Sequence, residues 1–269
     1  MLTRTGLHVP LLQPAPGFWG TPTASVDWCE QNYAHSTYVC EMFNTISCVA
    51  MLLVGLLGAL WHHRVLEKRF LLVFLSVALV GVGSTAFHGT LLFELQMLDE
   101  LPMLYTATLL VYILLENRPE RRFGVWFPAA LAGYAALATC GAAFMRDQAQ
   151  FYSFQVTFAA LEFYGLYRTF LIHRKSRNPT QRRLFRVGIT LYAIAIVLWF
   201  IDLRFCDTLV SSALQLGAPN PQLHAWWHVL VSAGLYALIL VIAFDRCQVL
   251  GRQPRWHYRM RWVPVVVTD

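Results

Sequence analysis

Apolar residues along this chain gather into seven long runs separated by short polar loops: Phe43–Trp61, Phe70–Phe87, Leu95–Leu115, Val125–Phe144, Phe151–Ile172, Val187–Ile201 and His224–Phe244. A helix of about 20 residues crosses a hydrocarbon core of about 30 Å. The pattern therefore predicts an all-α, seven-transmembrane-helix integral membrane protein. Composition agrees: of 269 residues, 57% are hydrophobic and 13% charged, and the mean hydropathy is +0.48. That is more apolar surface than a soluble domain of this length can bury.

The first twenty residues carry Arg4 and several prolines but no apolar signal-peptide core, so the first span is expected to insert as its own uncleaved signal. Charge then sets the orientation. The loops after spans one, three and five and the C-terminal tail hold Arg64, Lys68 and Arg69; Arg118, Arg121 and Arg122; Arg174, Lys175, Arg177, Arg182, Arg183 and Arg186; and Arg246, Arg252, Arg255, Arg259 and Arg261. Across the membrane stand Arg4, Arg146 and Arg204, with Arg168 inside the fifth span. The N-terminus is expected to be lumenal and the C-terminus cytosolic. The net charge of +6 is then a property of cytosolic loops and needs no nucleic-acid partner. The chain shows no internal repeat or low-complexity tract. It divides into a lumenal N-terminal segment (1–42), a seven-helix bundle (43–245) and a cytosolic tail (246–269). Trp28, Trp61, Trp126, Trp226, Trp227 and Trp262 lie near span ends, as an interfacial belt requires.

Ionisable groups inside spans are costly and mark function by default. His224 and His228 share one face of the last span at i, i+4, and Ser84 and His88 do the same at the end of the second. The charge-derived topology brings these groups, with Asp99 at the start of span three, to one membrane face. Three neutral imidazoles with an open fourth position is the catalytic zinc arrangement, in which bound water reaches a pKa of about 7. Asp99 would accept a proton from that water and pass it to a leaving nitrogen. Ser84 would hydrogen-bond the oxyanion. The implied chemistry is hydrolysis of an amide or ester at the membrane.

Blander readings compete at each position. Paired histidines at this spacing are usually incidental in soluble proteins. Spacing barely separates Asp99 from Glu94 and Glu100, and Ser84, after Gly81 and Gly83, also suits helix packing. His8, His35, His62, His63, His173 and His257 read as idle loop or interfacial residues. Glu162 and Asp202 are intramembrane acids with no partner apparent in the sequence.

Ser84-x-x-Phe87-His88, Met97-Leu98-Asp99-Glu100-Leu101-Pro102 and His224-Ala225-Trp226-Trp227-His228, preceded by Trp19-Gly20, Asp27 to Tyr33, Glu41 and Phe43-Asn44-Thr45, resemble the alkaline ceramidase family from about residue 18 to the tail. The resemblance implies an intramembrane amidase of the endoplasmic reticulum or Golgi. It would cleave ceramide, phytoceramide and dihydroceramide included, into a sphingoid base and a fatty acid. It further implies a catalytic Zn²⁺ on His88, His224 and His228, with Asp99 activating water and Ser84 steadying the oxyanion. It also implies a structural or activating Ca²⁺ held by Asp27, the Trp28 carbonyl, Glu30, Asn32 and Glu41, hard oxygen donors of the kind that ion takes. The alternative is a heptahelical adiponectin-receptor-like receptor with structural zinc; such receptors share the motif but are expected in the opposite orientation. Cys29 and Cys206, the two cysteines that fall clearly in lumenal loops, are expected to pair. Cys40, Cys48, Cys140 and Cys247 read as packing residues or free thiols. No oligomer is predicted.

Overall fold

The computed structural model describes residues 17–120 and 122–268. The expectations for residues 1–16, Arg4 and His8 among them, and for Arg121 lie outside these. Nine helices are found among the described residues: α1 (Met42–Ser47), α2 (Val49–His62), α3 (Lys68–Thr90), α4 (Phe93–Leu115), α5 (Trp126–Phe144), α6 (Asp147–Lys175), α7 (Pro179–Arg204), α8 (Cys206–Gln215) and α9 (Leu223–Val249). Six segments are long and apolar enough to cross a membrane: α1 with α2, then α3, α4, α5, α7 and α9. Helix α6 is long enough at 29 residues, but Gln150, Gln155, Glu162 and Arg168 interrupt its apolar character.

The helices form where the apolar runs predict them, and local chemistry sets their ends. Asn178 caps α7 by accepting the Gln181 amide at 2.9 Å, and Pro179 follows at the first helical position. The first span is broken at Cys48 into α1 and α2. In α4, Pro102 lacks the amide that would bond the Leu98 carbonyl. That carbonyl faces Gly83 of α3, where a side chain would collide with it, so the glycine brings the two backbones into contact. Helices α2, α3 and α4 pack in sequence, and α7 lies along α9, whose buried residues from Tyr236 to Phe244 form much of the core. Outward residues such as Leu53, Leu72, Val156 and Val197 stay exposed, as lipid contact requires.

The chain is mostly helical rather than wholly so. Strands β1 (Arg255–Arg259) and β2 (Val263–Val267) pair antiparallel in the tail, where the all-α reading placed no strand. Met260 and Arg261 both adopt positive φ, and the Trp262 amide closes onto the Arg259 carbonyl, the primed-turn geometry that suits hairpin twist. Short apolar Val263–Val267, too brief for a helix, is covered by docking: Val265 and Val266 are buried, and Trp256 stacks on Phe244 at 4.6 Å. This corrects the reading of His62 as an idle loop residue. It is fully buried at the end of α2 and accepts the Val266 amide on Nε2 at 3.2 Å. The ring proton therefore sits on Nδ1, which donates to the Gly58 carbonyl at 2.8 Å.

Candidate metal centre

Residues 17–41 form a cap over one end of the bundle. Backbone amides of Thr23 and Ala24 donate to the Leu91 carbonyl, and those of Cys40 and Glu41 to Gly89 and His88. The Cys29–Cys206 disulfide ties the cap to the start of α8. Asp202, for which the sequence named no partner, accepts the Cys29 amide at 3.0 Å and the His224 amide at 3.3 Å on its carboxylate. Glu162, likewise unassigned, accepts the Tyr192 hydroxyl at 2.5 Å.

Under the cap, the last turns of α3 bring Ser84 and His88, the second turn of α4 brings Asp99, and the start of α9 brings His224 and His228. All five are buried. Ring centroids are 5.1 Å apart for His88 and His224, 4.9 Å for His88 and His228, and 4.6 Å for His224 and His228. The far nitrogens of two rings are held. His88 Nδ1 lies 2.5 Å from Glu41 Oε2, and His228 Nδ1 lies 2.7 Å from Ser47 Oγ. Each contact leaves Nε2 to turn inward, the orienting arrangement seen around metal-ligating histidines. The His224 ring stacks on Trp28 at 3.6 Å and on Trp227 at 5.1 Å, and its Nδ1 is buried without a hydrogen-bond partner.

The donor atoms that converge within 4.8 Å of one another belong to Cys48, His88 and His228. Cys48 was read as a packing thiol. The break between α1 and α2 turns its sulfur to 3.9 Å from both His228 nitrogens, while its thiol donates to the Asn44 carbonyl at 3.0 Å. A polar stripe at helical spacing, Glu41, Asn44 or Thr45, then Cys48, was the sequence signal for this wall of the site.

Geometry separates the acids that spacing left together. Both Glu100 oxygens are occupied, by Gln96 Nε2 at 2.8 Å and Gln150 Nε2 at 2.5 Å. Glu94 is exposed. Asp99 Oδ1 is buried with no partner, and Ser84, its polar neighbour, also lies 3.5 Å from His228 Nε2. Two imidazoles beside a thiol, with a free carboxylate oxygen at hand, suit a borderline divalent metal such as zinc; the His224 ring lies alongside, its nitrogens outside that converging set.

The residues named for calcium share one side of the cap. Asn32 Nδ2 bonds the Asp27 carboxylate at 3.2 and 3.4 Å, leaving Asn32 Oδ1 buried without a partner. Glu30 accepts the amides of Phe43 and Asn44 at 2.8 and 2.9 Å, and Glu41 accepts the Trp28 amide at 3.3 Å. Burial, then the charges of Asp27 and Glu30, push the Glu41 carboxyl well above the usual range. Burial also raises Glu30, against the pull of its backbone hydrogen bonds. Glu41 with the charges of two further acids, Asp27 and Glu30, acting on it is chemically suited to a hard cation.

The apolar helices and the capped donor cluster define a polytopic membrane protein with a metal-competent centre at one end of its bundle. Residues 20–267 match the family described as Ceramidase, and the chain belongs to it. It is 32% identical over 261 residues to alkaline ceramidase 3 of Mus musculus, covering 94% of this chain and 95% of that relative. It is 31% identical over 250 residues to alkaline ceramidase of Arabidopsis thaliana, covering 93% and 94%. Human alkaline ceramidase 1 shares 26% identity over 249 residues, covering 86% of each chain.

Proposed function

We propose that this protein is a zinc-dependent alkaline ceramidase that hydrolyses the amide of ceramide, phytoceramide and dihydroceramide included, inside the membrane. The observation that carries the reading is the buried meeting of His88, His224 and His228 with a partnerless Asp99 oxygen. His88, His224 and His228 would hold the ion. Zinc, when bound, supplies a Lewis acid for the amide carbonyl and lowers the pKa of water.

The chain's own groups supply the rest. Asp99, as a carboxylate, takes a proton from the attacking water as its oxygen bonds to the amide carbon. The Ser84 hydroxyl donates a hydrogen bond to the oxygen that gains charge. Asp99 then gives its proton to the nitrogen as the C–N bond breaks, releasing a sphingoid base and a fatty acid. Glu41 and Ser47 orient His88 and His228. The cap keeps bulk water from the site.

The basic loops support a lumenal N-terminus and a cytosolic C-terminus, with α6 as the seventh span, and the family resemblance supports residence in the endoplasmic reticulum or Golgi. The segments 1–42, 43–245 and 246–269 serve as lumenal cap, catalytic bundle and cytosolic tail. Ca²⁺ at Asp27, Trp28, Glu30, Asn32 and Glu41 steadies the cap.

Purified protein, its zinc content measured, would be assayed for sphingoid-base release beside His88→Ala and Asp99→Asn. The expectation is that His88→Ala loses zinc and activity, while Asp99→Asn keeps zinc and loses activity. Full turnover by Asp99→Asn would overturn the enzyme mechanism and favour a receptor with structural zinc.

A further inference from the structure

At the end of the bundle opposite the histidines, a cavity of about 400 Å³ opens between the last turns of α4, α6 and α9 and the loop after α4. That volume lies within the range of small-molecule sites. Arg118, Arg122, Arg168 and Lys175 line it, with Asp245 as the acid facing them. Asp245 is held by Asn117 Nδ2 at 2.6 Å. Among the described residues no carboxylate lies at salt-bridge distance from any of the four cations. Among the lining residues the excess is three positive charges, with the Glu116 carboxylate outside the lining and accepting the Arg122 and Phe123 amides.

Arg168 is the informative member. It sits seven residues before Lys175, about 10 Å further along the helix axis; on the reading of α6 as the seventh span, an isolated cation at that depth is costly and marks a function. Its guanidinium is held in place by the Tyr164 hydroxyl at 3.0 Å and the Leu114 carbonyl at 3.3 Å. These contacts use two of its five N–H donors and leave three for a ligand. Apart from Asn117, the rest of the wall is apolar, with Leu114, Leu115, Leu171, Ile172 and Val249. Leu114 also lines a second cavity between α4, α6, α7 and α9, mostly leucine and isoleucine with Glu162, Thr169 and Tyr192 among them. Membrane orientation requires basic residues on these loops, but it does not require them to converge on a cavity.

We propose that this cavity binds the phosphate headgroup of an anionic membrane lipid, with a phosphomonoester favoured. Four cations against one carboxylate match a group carrying about −1.5 to −2 better than a singly charged diester. The apolar wall favours a lipid over free phosphate, because the wall adds affinity only when a hydrocarbon chain accompanies the charge. Basic pockets between helices at a membrane face are a known means of holding such headgroups.

The test is equilibrium binding of fluorescent phosphatidic acid to the full-length, lipid-depleted protein in a neutral detergent. Phosphatidic acid is expected to bind saturably, phosphatidylserine more weakly, and phosphatidylcholine and inorganic phosphate not to compete. Arg118→Gln with Lys175→Gln is expected to weaken binding at least about tenfold, the loss of one or more charge-assisted hydrogen bonds. Asp245→Asn, which removes the opposing charge, is expected to tighten it, a gain that misfolding cannot produce. Equal competition by inorganic phosphate overturns the lipid assignment, and equal binding of phosphatidylserine overturns the phosphomonoester preference. Absence of saturable binding, or affinity unmoved in both variants, overturns the site.

Discussion

Gly83→Ala tests whether the close approach of α3 and α4 sets the catalytic geometry. A methyl group there would stand 2.6 Å from the Leu98 carbonyl carbon and 3.0 Å from the Asp99 nitrogen. Carbon atoms at optimal separation lie about 3.5–4.0 Å apart, so the helices must part by about 1 Å. The displaced backbone carries Asp99 on one side, and Ser84 follows Gly83 directly on the other. Overpacking of this kind costs about 1–3 kcal/mol of stability. A misplacement of about 1 Å between reacting groups costs about 100-fold in rate. The expected result is a fall of about that size in kcat/KM for sphingoid-base release, measured per folded, zinc-loaded molecule. Gly89→Ala, one residue past His88 but facing open space, is the control and is expected to retain activity. Gly81→Ala separates the two effects, because its methyl would press on Leu52 of α2 instead and so disturb stability without parting α3 from α4. Wild-type kcat/KM in folded Gly83→Ala would refute the reasoning.

Glu41→Gln removes the carboxylate from His88 Nδ1 and is expected to weaken zinc about 10- to 100-fold in a chelator-competition titration; unchanged affinity would show that Glu41 does not orient the ligand. His62→Ala leaves the Val266 amide unpaired and is expected to cost about 1–3 kcal/mol in chemical unfolding, with the hairpin cleaved sooner by protease and catalysis retained. The raised carboxyls of Glu30 and Glu41 set the sign of a pH effect. Their neutral forms are favoured in the folded cap, so that contribution is intact below the ordinary glutamate value of about 4.3 and is lost as pH rises through the raised folded values. Calcium favours the charged forms and is expected to cancel the loss, so thermal unfolding should become calcium-sensitive on the alkaline side; a melting temperature indifferent to calcium at every pH would remove the calcium site. Cys29→Ser is expected to cost about 2–5 kcal/mol, read as earlier unfolding than the wild type under non-reducing conditions, a difference that disappears when the wild type is reduced.

Much of the frame was legible because a span must be apolar over its whole length, a pattern that no tertiary contact can substitute. Helix α6 was the weak case, since Gln150 and Arg168 find partners that local composition does not reveal. The histidines were legible from spacing because i, i+4 forces two rings onto one face. Asp99 was not, since Glu94 and Glu100 are also near it in sequence; Glu100 is removed from contention by Gln96 and by Gln150, which lies fifty residues away. Cys48 was missed because its role depends on a break in the first span that lets its side chain face His228. The hairpin was missed because its apolar strand makes sense only against His62 and Phe244, partners far away in sequence.

The disulfide that fastens the cap joins residues 177 positions apart. At about 5–20 residues per second, Cys29 waits roughly 10–35 s during synthesis before Cys206 exists. His224 and His228 come later still. Over that interval the cap has the end of α3 to dock upon but no α8 to be fastened to. Completion of the buried histidine cluster is thus a terminal event of synthesis: a chain that stops short of α9 has its cap and the early helices but lacks His224 and His228.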